Sequence, residues 1–586
     1  MDKLNWITFF AWWLSLLGYG YTFVKKRDSS PLSVFEALLY GSAWYSLLGW
    51  IFFIIGPISS LREVAWGFVL IGLGLLSQIE KKPRLTFKPK WYWFPGLWVG
   101  SRILSGFEIN SHGDPYTAYL AAFGDWFFHG GYTSWSNNQV YFLTGSWDVL
   151  NVWGFLFGRG LPTTEITNSI HFGQWVSASV ATLGIALFPF AWNQKLDLKL
   201  DLKVLTAMSL VALSSPILGW MQPIAKSDTG GIFWALGAAL FVGSQTKEDS
   251  FKVALYAGLT SVAKITYAPF GVILLLAHVF MIRLRSPVEI LAGGMTAVLP
   301  KFGIWILLTG NPLFPFLNSF FKPTTTLSYW AKYLLVNPQS QKVNFDSVML
   351  YLSEIFSEHL GLVYIALIGF FLKTSSKNYR IVMIAACIAT VVFMGVLRPS
   401  SEIRYLGPPL TLLAIEGIRI LSDFLKHRFW KTGVLLVVIA TSNIPVFIFY
   451  QFILGSPKFS QAANDWFMNT RKPHHGWIRK NVSNTKIIGF ISDPEIFSLI
   501  DYQTVSIVHS AMTAETLDSI KEVRDWKRVF AVSKIDFLLA DFDHPGRHPY
   551  PLESQLVAKL KSINCTQFRL DNKWVWDVSC LIKSGI

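Results

Sequence analysis

Charged residues stand beside long apolar runs of this chain, where charge is expensive. Asp114 lies in His112-Gly113-Asp114-Pro115-Tyr116, just past an apolar run, and Lys226 and Asp228 lie in Ala225-Lys226-Ser227-Asp228. Lys264 interrupts Val262-Ala263-Lys264-Ile265-Thr266-Tyr267, and Arg404 sits in Glu402-Ile403-Arg404-Tyr405. A charge at membrane depth costs about 2.5–3.5 kcal/mol on insertion scales, so where one is kept it marks a pathway or a site. Gathered together, these groups would set a carboxylate beside several cations. That combination suits a phosphate, held by the cations, and a hydroxyl whose proton the carboxylate takes.

Elements of a particular kind must position such groups. The 586 residues are 52% hydrophobic and 16% aromatic, with only 15% charged, and the mean hydropathy is +0.40. These values exclude an ordinary soluble protein and indicate a polytopic α-helical membrane protein. The formal charge of +15 does not point to nucleic acid, because Lys and Arg cluster between apolar spans and form no single basic face. The first apolar segment, flanked by Lys25-Lys26-Arg27, has no small-residue cleavage site and reads as a retained helix.

Apolar stretches fall near 4–24, 33–56, 61–79 and 91–106, and a long mixed segment then occupies 107–170. Ten more follow near 172–192, 203–220, 229–244, 251–265, 266–283, 287–309, 359–373, 380–397, 404–421 and 432–454. Several are shorter than the ~20 residues of a perpendicular span, so the expectation is about 12–14 transmembrane helices, some of them half-helices. The basic groups Lys25-Lys26-Arg27, Lys81-Lys82-Pro83-Arg84, Lys195/Lys199/Lys203, Arg283/Arg285, Lys373/Lys377/Arg380 and Lys426-His427-Arg428 all fall on one side. The positive-inside rule makes that side cytoplasmic. The loop 107–170, the turns 219–228 and 398–403, the segment 310–350, both termini and the tail after 455 then face outward, and every unusual charge named above lies on or near that side.

The tail has a different texture. Lys486–Ile491 and Ile535–Ala540 read as short buried strands, 513–527 and 552–563 as helices, and Phe568–Val578 as a hairpin around Asp571-Asn572. Thr513 is the expected N-cap of the first helix. Strands alternating with helices indicate a small extracytoplasmic α/β domain. The domain plan is therefore 1–90, extra N-terminal helices; 91–455, a transmembrane catalytic domain; and 456–586, the α/β tail.

Each motif has a plainer alternative. Asp114 is a general base, or merely the N-cap of a surface helix that Pro115 begins and that carries Tyr116, Tyr119, Leu120 and Phe123 as its stripe. Glu108 and Asp125 are weaker carboxylate candidates that could face solvent. Lys226 and Asp228 either serve a ligand or pair with each other. Lys264 either lines a cavity, since the Tyr267-Ala268-Pro269 break tolerates that depth only there, or snorkels to an interface. Arg398, Glu402 and Arg404 share one short turn, in which Arg suits bidentate phosphate contacts or an Arg–Glu pair. Asp541-Phe542-Asp543-His544 with His548 and His474-His475 have metal-ligand types but no strong spacing. Cys565 and Cys580 are either bridged or free; Cys387 lies mid-span.

The order and sidedness of these motifs resemble the GT-C superfamily of integral-membrane glycosyltransferases. The nearest branch is that of the bacterial relatives of protein O-mannosyltransferases and of the lipid A aminoarabinose transferase. The resemblance rests on the acidic first loop with Tyr at a helical start, Gly258–Pro269, Asn311-Pro312-Leu313-Phe314-Pro315-Phe316 and Arg404-Tyr405-Leu406-Gly407-Pro408, and covers roughly 91–455. A single Asp114 stands where many members carry an adjacent acidic pair. The resemblance implies transfer of a sugar from a polyprenyl-phosphate carrier to an extracytoplasmic acceptor (glycan, lipid or protein) with inversion. It gives Asp114 the role of base, and Lys226, Asp228, Lys264, Tyr267, Arg404 and Tyr405 those of binding donor and phosphate. No cofactor or metal is expected, although a divalent metal stays open. Membrane lipids are the expected surroundings, in a bacterial cytoplasmic membrane. A transporter or lipid flippase, and an O-antigen ligase or polymerase working from a diphosphate carrier, are the competing readings.

Overall fold

The computed structural model describes the chain apart from residues 1–2, 26, 57–60, 80–92, 107–119, 131–137, 158–161, 216–218, 220, 284, 315, 337–348, 350–351, 354–355, 357–360, 372–388, 390–402, 425–427, 442–471, 493–498 and 544–549. Helices occupy the apolar runs: Lys3–Thr22, Pro31–Ile55, Leu61–Ser77, Trp93–Ser105, Ser227–Phe241, Lys247–Ala263, Ala268–Ile282, Pro287–Thr309, Leu362–Phe371, Gly407–Phe424 and Arg428–Thr441. The 172–192 run lies in Pro162–Val176 and Thr182–Leu196, joined through a π-helical turn at Ser177–Ala181, and Leu202–Leu213 lies in the 203–220 run, whose residues 216–218 and 220 are outside the described residues. The run at 380–397 lies outside the described residues. Among those described, Pro31–Ile55, Ser169–Leu196, Ile265–Ile282 and Pro287–Thr309 are long and apolar enough to cross a membrane. The last two leave Leu276, Phe280, Leu291 and Leu307 exposed, an apolar face of the kind lipid covers.

Helix packing follows from small residues. A Cβ on Gly258 would lie 2.6 Å from Ala297 Cβ, and one on Gly293 would lie 2.4 Å from the Phe251 carbonyl. The Lys247–Ala263 and Pro287–Thr309 helices therefore approach closely along a small-residue seam, as membrane helices do without a hydrophobic drive between them. The first helices join the same core: Trp12 meets Tyr45 and Phe172, Phe35 meets Phe233, and Lys252 binds Glu36 at 2.9 Å.

Of the segment 107–170, residues 120–130 and 138–157 are described and largely buried. Helix Ala121–His129 buries Leu120, Phe123 and Asp125, with Phe123 edge-on to Phe53, so it packs into the body and does not merely present an apolar stripe to the surface. Residues 139–157 form short turns and a helix, also buried.

The tail forms a five-stranded sheet in the order β2-β1-β3-β5-β4, with β1 Ile487–Ile491, β2 Gln503–Ser506, β3 Phe537–Asp541, β4 Thr566–Leu570 and β5 Lys573–Asp577. β1 pairs in parallel with β2 and β3; β5 runs antiparallel to β3 and β4. Helices Glu553–Ser562 and Trp526–Ser533 pack with the sheet's apolar residues Trp574, Trp576 and Leu538. The helix expected over 513–527 is instead Ala514–Asp518, a 3₁₀ turn Val523–Asp525, and then Trp526–Ser533. Thr513 precedes the first of these without capping it, because its hydroxyl donates back to the Ile507 and Ser510 carbonyls. Cys565 and Cys580 are bonded, with Cα atoms 5.6 Å apart. Two backbone bonds dock the segment just after β2 on the membrane body, from Gln139 N to His509 O (2.9 Å) and from Trp330 N to Val508 O (3.1 Å).

Candidate functional site

Two helix ends and one turn build the site. Lys226, in extended conformation (φ −148°, ψ 153°), precedes the Ser227–Phe241 helix and puts Asp228 in the first turn, where the helix dipole favours an acid. The Lys247–Ala263 helix stops at Lys264, which is also extended (φ −150°, ψ 128°). A 3₁₀ turn Ile265–Tyr267 follows, and Pro269 helps to start the next helix. Arg404 and Tyr405 come from the 3₁₀ turn Ile403–Leu406 that leads into Gly407–Phe424.

These segments converge on Asp228. Lys264 Nζ donates to Asp228 Oδ1 at 2.5 Å, and Lys226 Nζ lies 3.7 Å from Oδ2. The Tyr267 hydroxyl reaches both Asp228 Oδ1 (3.3 Å) and the Arg404 carbonyl (3.0 Å). The Lys264 ammonium sits 4.6 Å from the Tyr405 ring centroid, and Arg404 lies over the same ring at 5.2 Å. The structure thus brings together Lys226, Asp228, Lys264, Tyr267, Arg404 and Tyr405. Asp228 is fully buried and Lys264 nearly so, which places Lys264 inside the protein and not at an interface. A buried carboxylate and its cation are stable as a pair and costly when separated.

A broken helix leaves carbonyls without partners, and the neighbouring residues answer them. The Val262 carbonyl accepts from Ser146 N (3.1 Å) and from Lys301 Nζ (3.1 Å). The chain at 144–148 comes so close that a Cβ on Gly145 would lie 1.8 Å from the Ala263 carbonyl oxygen, which only glycine permits. Ser46 Oγ binds the Ser146 carbonyl at 2.5 Å, Trp50 Nε1 binds Ser146 Oγ at 3.1 Å, and Trp147 packs on Gly230 and donates to Ser177 Oγ (3.3 Å). This pinning delivers Asp148, one Oδ2 bond of which goes to Gly145 N at 2.7 Å.

Asp148 and Lys301 were not singled out from the sequence. Lys301 interrupts the 287–309 apolar run, so the rule that flagged Lys264 applied to it equally. Asp148 sits in a mixed segment where that rule gives no signal. Of the other candidates, Asp125 is buried on its own helix with Oδ1 3.9 Å from His129 Nε2, and it does not face solvent. Asp114, Glu108, Arg398 and Glu402 lie outside the described residues. In the tail, Lys573 binds Asp543 and holds its carboxyl below the usual range, while Lys472 binds Asp541 at 3.3 Å; His544 and His548 are outside the described residues. No group of three His, Cys, Asp or Glu residues that could hold a metal occurs among the described residues.

Fold and site together define a polytopic helical membrane protein with a small α/β tail and a buried cluster of cations around one carboxylate. No family model and no curated protein matches the chain. Among solved structures, it is similar to ArnT from Cupriavidus metallidurans bound to undecaprenyl phosphate, at 12% identity and a TM-score of 0.49, over 83% of this chain and 96% of that one. The apo state of the same protein gives 12% identity and 0.47 over the same shares. Likeness at that distance carries no argument about chemistry, which rests on the site.

Proposed function

We propose that the chain is an integral-membrane glycosyltransferase of GT-C type that moves a sugar from a polyprenyl-phosphate carrier to an extracytoplasmic acceptor. The observation that carries the reading is the convergence of Lys226, Lys264 and Arg404, from three separate segments, on the buried Asp228. Such a preorganised cluster in an apolar body stabilises charge that develops on a departing phosphate. A phosphate oxygen entering it would take up N–H groups of Lys264 and Lys226 that Asp228 now attracts.

In the step proposed, the acceptor oxygen bonds to the anomeric carbon from the face opposite the carrier. The bond from that carbon to the phosphate oxygen breaks, its electron pair stays on the phosphate, and the acceptor's proton passes to Asp114. Direct displacement inverts the anomeric carbon. Tyr267, fixed between Asp228 and the Arg404 backbone, keeps the two cation-bearing segments in register. No metal takes part in this scheme. The membrane is a bacterial cytoplasmic membrane, with both termini outside. The Cys565–Cys580 bond supports the outer position of the tail, because disulfides persist in oxidising compartments.

The test is binding of undecaprenyl phosphate to the protein in nanodiscs. Lys264→Ala and Arg404→Ala should each weaken it at least tenfold, and the double variant should lose less than the product of the two, because both act on one phosphate. Unchanged binding in either single variant, or independent losses, would refute a shared phosphate site. Transport of the lipid across the bilayer without sugar transfer would favour the flippase reading.

A further inference from the structure

Beside the phosphate cluster lies a second pair of buried groups that this scheme leaves unused. Asp148 is fully buried; its Oδ2 holds the Gly145 amide, and its Oδ1 has no hydrogen-bond partner. A carboxylate oxygen without a donor in such a place is costly, so it needs an occupant. Lys301 is also buried, with one N–H spent on the Val262 carbonyl and its ammonium 4.6 Å from the Trp305 ring centroid. An ammonium has three donors, so two remain after that bond. The two groups interact electrostatically, and Asp148 also feels Lys264 and Asp228.

The pair shares one anchor with the phosphate cluster. Val262, whose carbonyl binds both Lys301 and the 144–148 segment, is two residues before Lys264. Any group linked to a phosphate on Lys264 is thus led toward Asp148 and Lys301. A hydroxyl suits them both, since it can donate to Asp148 Oδ1 while accepting from Lys301 Nζ. A second phosphate does not, because its oxygens offer Asp148 no proton and its charge would face that carboxylate.

We propose that Asp148 and Lys301 form a hydroxyl-recognising subsite that selects the sugar of the lipid-linked donor. The inference rests on the phosphate assignment above and assigns a separate task to residues outside it. A site built to hydrogen-bond a hydroxyl rejects ligands lacking it strongly, because its own buried groups are then left unpaired.

The full-length protein in nanodiscs is titrated with undecaprenyl phosphate, bare or carrying glucose, mannose, galactose, N-acetylglucosamine or arabinose. Wild type should bind at least one conjugate tenfold or more tighter than the bare lipid phosphate. Asp148→Asn and Lys301→Met should each bring that ratio to within about twofold of one, while the Kd for bare undecaprenyl phosphate stays within twofold of wild type. A ratio retained in both variants, equal weakening of both ligands, or no conjugate preferred by wild type would overturn the subsite. If Asp148→Asn does not fold, Lys301→Met decides alone. Failure of the phosphate reading shows separately, as wild type that ignores bare undecaprenyl phosphate or as Lys264→Ala that binds it normally.

Discussion

Breaking the Asp228–Lys264 pair gives the sharpest physical test of the cluster. The pair is 2.5 Å long, Asp228 is fully buried and Lys264 is 7% exposed, so solvent screens neither charge. Removing one partner of a buried pair costs about 3–5 kcal/mol, mostly because the other charge is stranded. Lys264→Met should fall at the lower end, since Lys226 at 3.7 Å still faces the carboxylate. Asp228→Asn should fall at the upper end, because Lys226, Lys264 and Arg404 then repel one another without a counter-ion. The double variant strands no charge within the pair, so its loss should be about 2–3 kcal/mol smaller than the sum of the singles. Denaturant unfolding in micelles, followed by tryptophan fluorescence, measures all three against wild type. Asp228→Asn should also bind bare undecaprenyl phosphate at least as tightly as wild type, because the phosphate's competitor for Lys264 is gone. Losses additive to within about 0.5 kcal/mol would show that the two groups do not depend on each other, and the picture of a buried, mutually dependent cluster would fail.

Gly145→Ala should abolish sugar transfer while the protein still inserts, because the added methyl would meet the Ala263 carbonyl 1.8 Å away and push the 144–148 segment off the broken helix; normal turnover would refute that coupling. Asp114→Asn should lower turnover about 10²–10⁴-fold at wild-type protein levels if Asp114 is the base, whereas a mere helix cap would tolerate Asn with little loss. An alkaline phosphatase fusion after Ile586 should be active, and a silent fusion beside an active cytoplasmic reporter would overturn the orientation proposed for the tail.

The helical spans were legible because each is a long, predominantly apolar run, and burial or lipid demands little more than that of such a sequence. In the tail, β1 and β3 announced themselves as Ile-Ile-Gly-Phe-Ile and Phe-Leu-Leu-Ala, but β2 did not. Gln503-Thr504-Val505-Ser506 has one apolar side chain, yet Thr504, Val505 and Ser506 are buried because β1 runs alongside them. Thr513 has the residue type of a cap; the chain before it folds back, and the hydroxyl finds carbonyls there first. Local sequence carries no trace of either neighbour.

The same division separates the parts of the site. Lys226, Asp228, Lys264 and Arg404 stood out because charge in or beside an apolar run is costly, and that cost is a property of each residue alone. Asp148 has no such mark. It is buried only because Gly145 lets the 144–148 segment touch the end of a helix more than a hundred residues later, and that helix ends early because Lys264 turns its backbone aside. The break therefore does two things at once. It points Lys264 at Asp228, and it frees the Val262 carbonyl that draws in Lys301 and the segment bearing Asp148. A continuous helix through 247–282 would satisfy that carbonyl internally and leave neither pair a reason to form, so the interruption, more than any single charge, is what assembles the site.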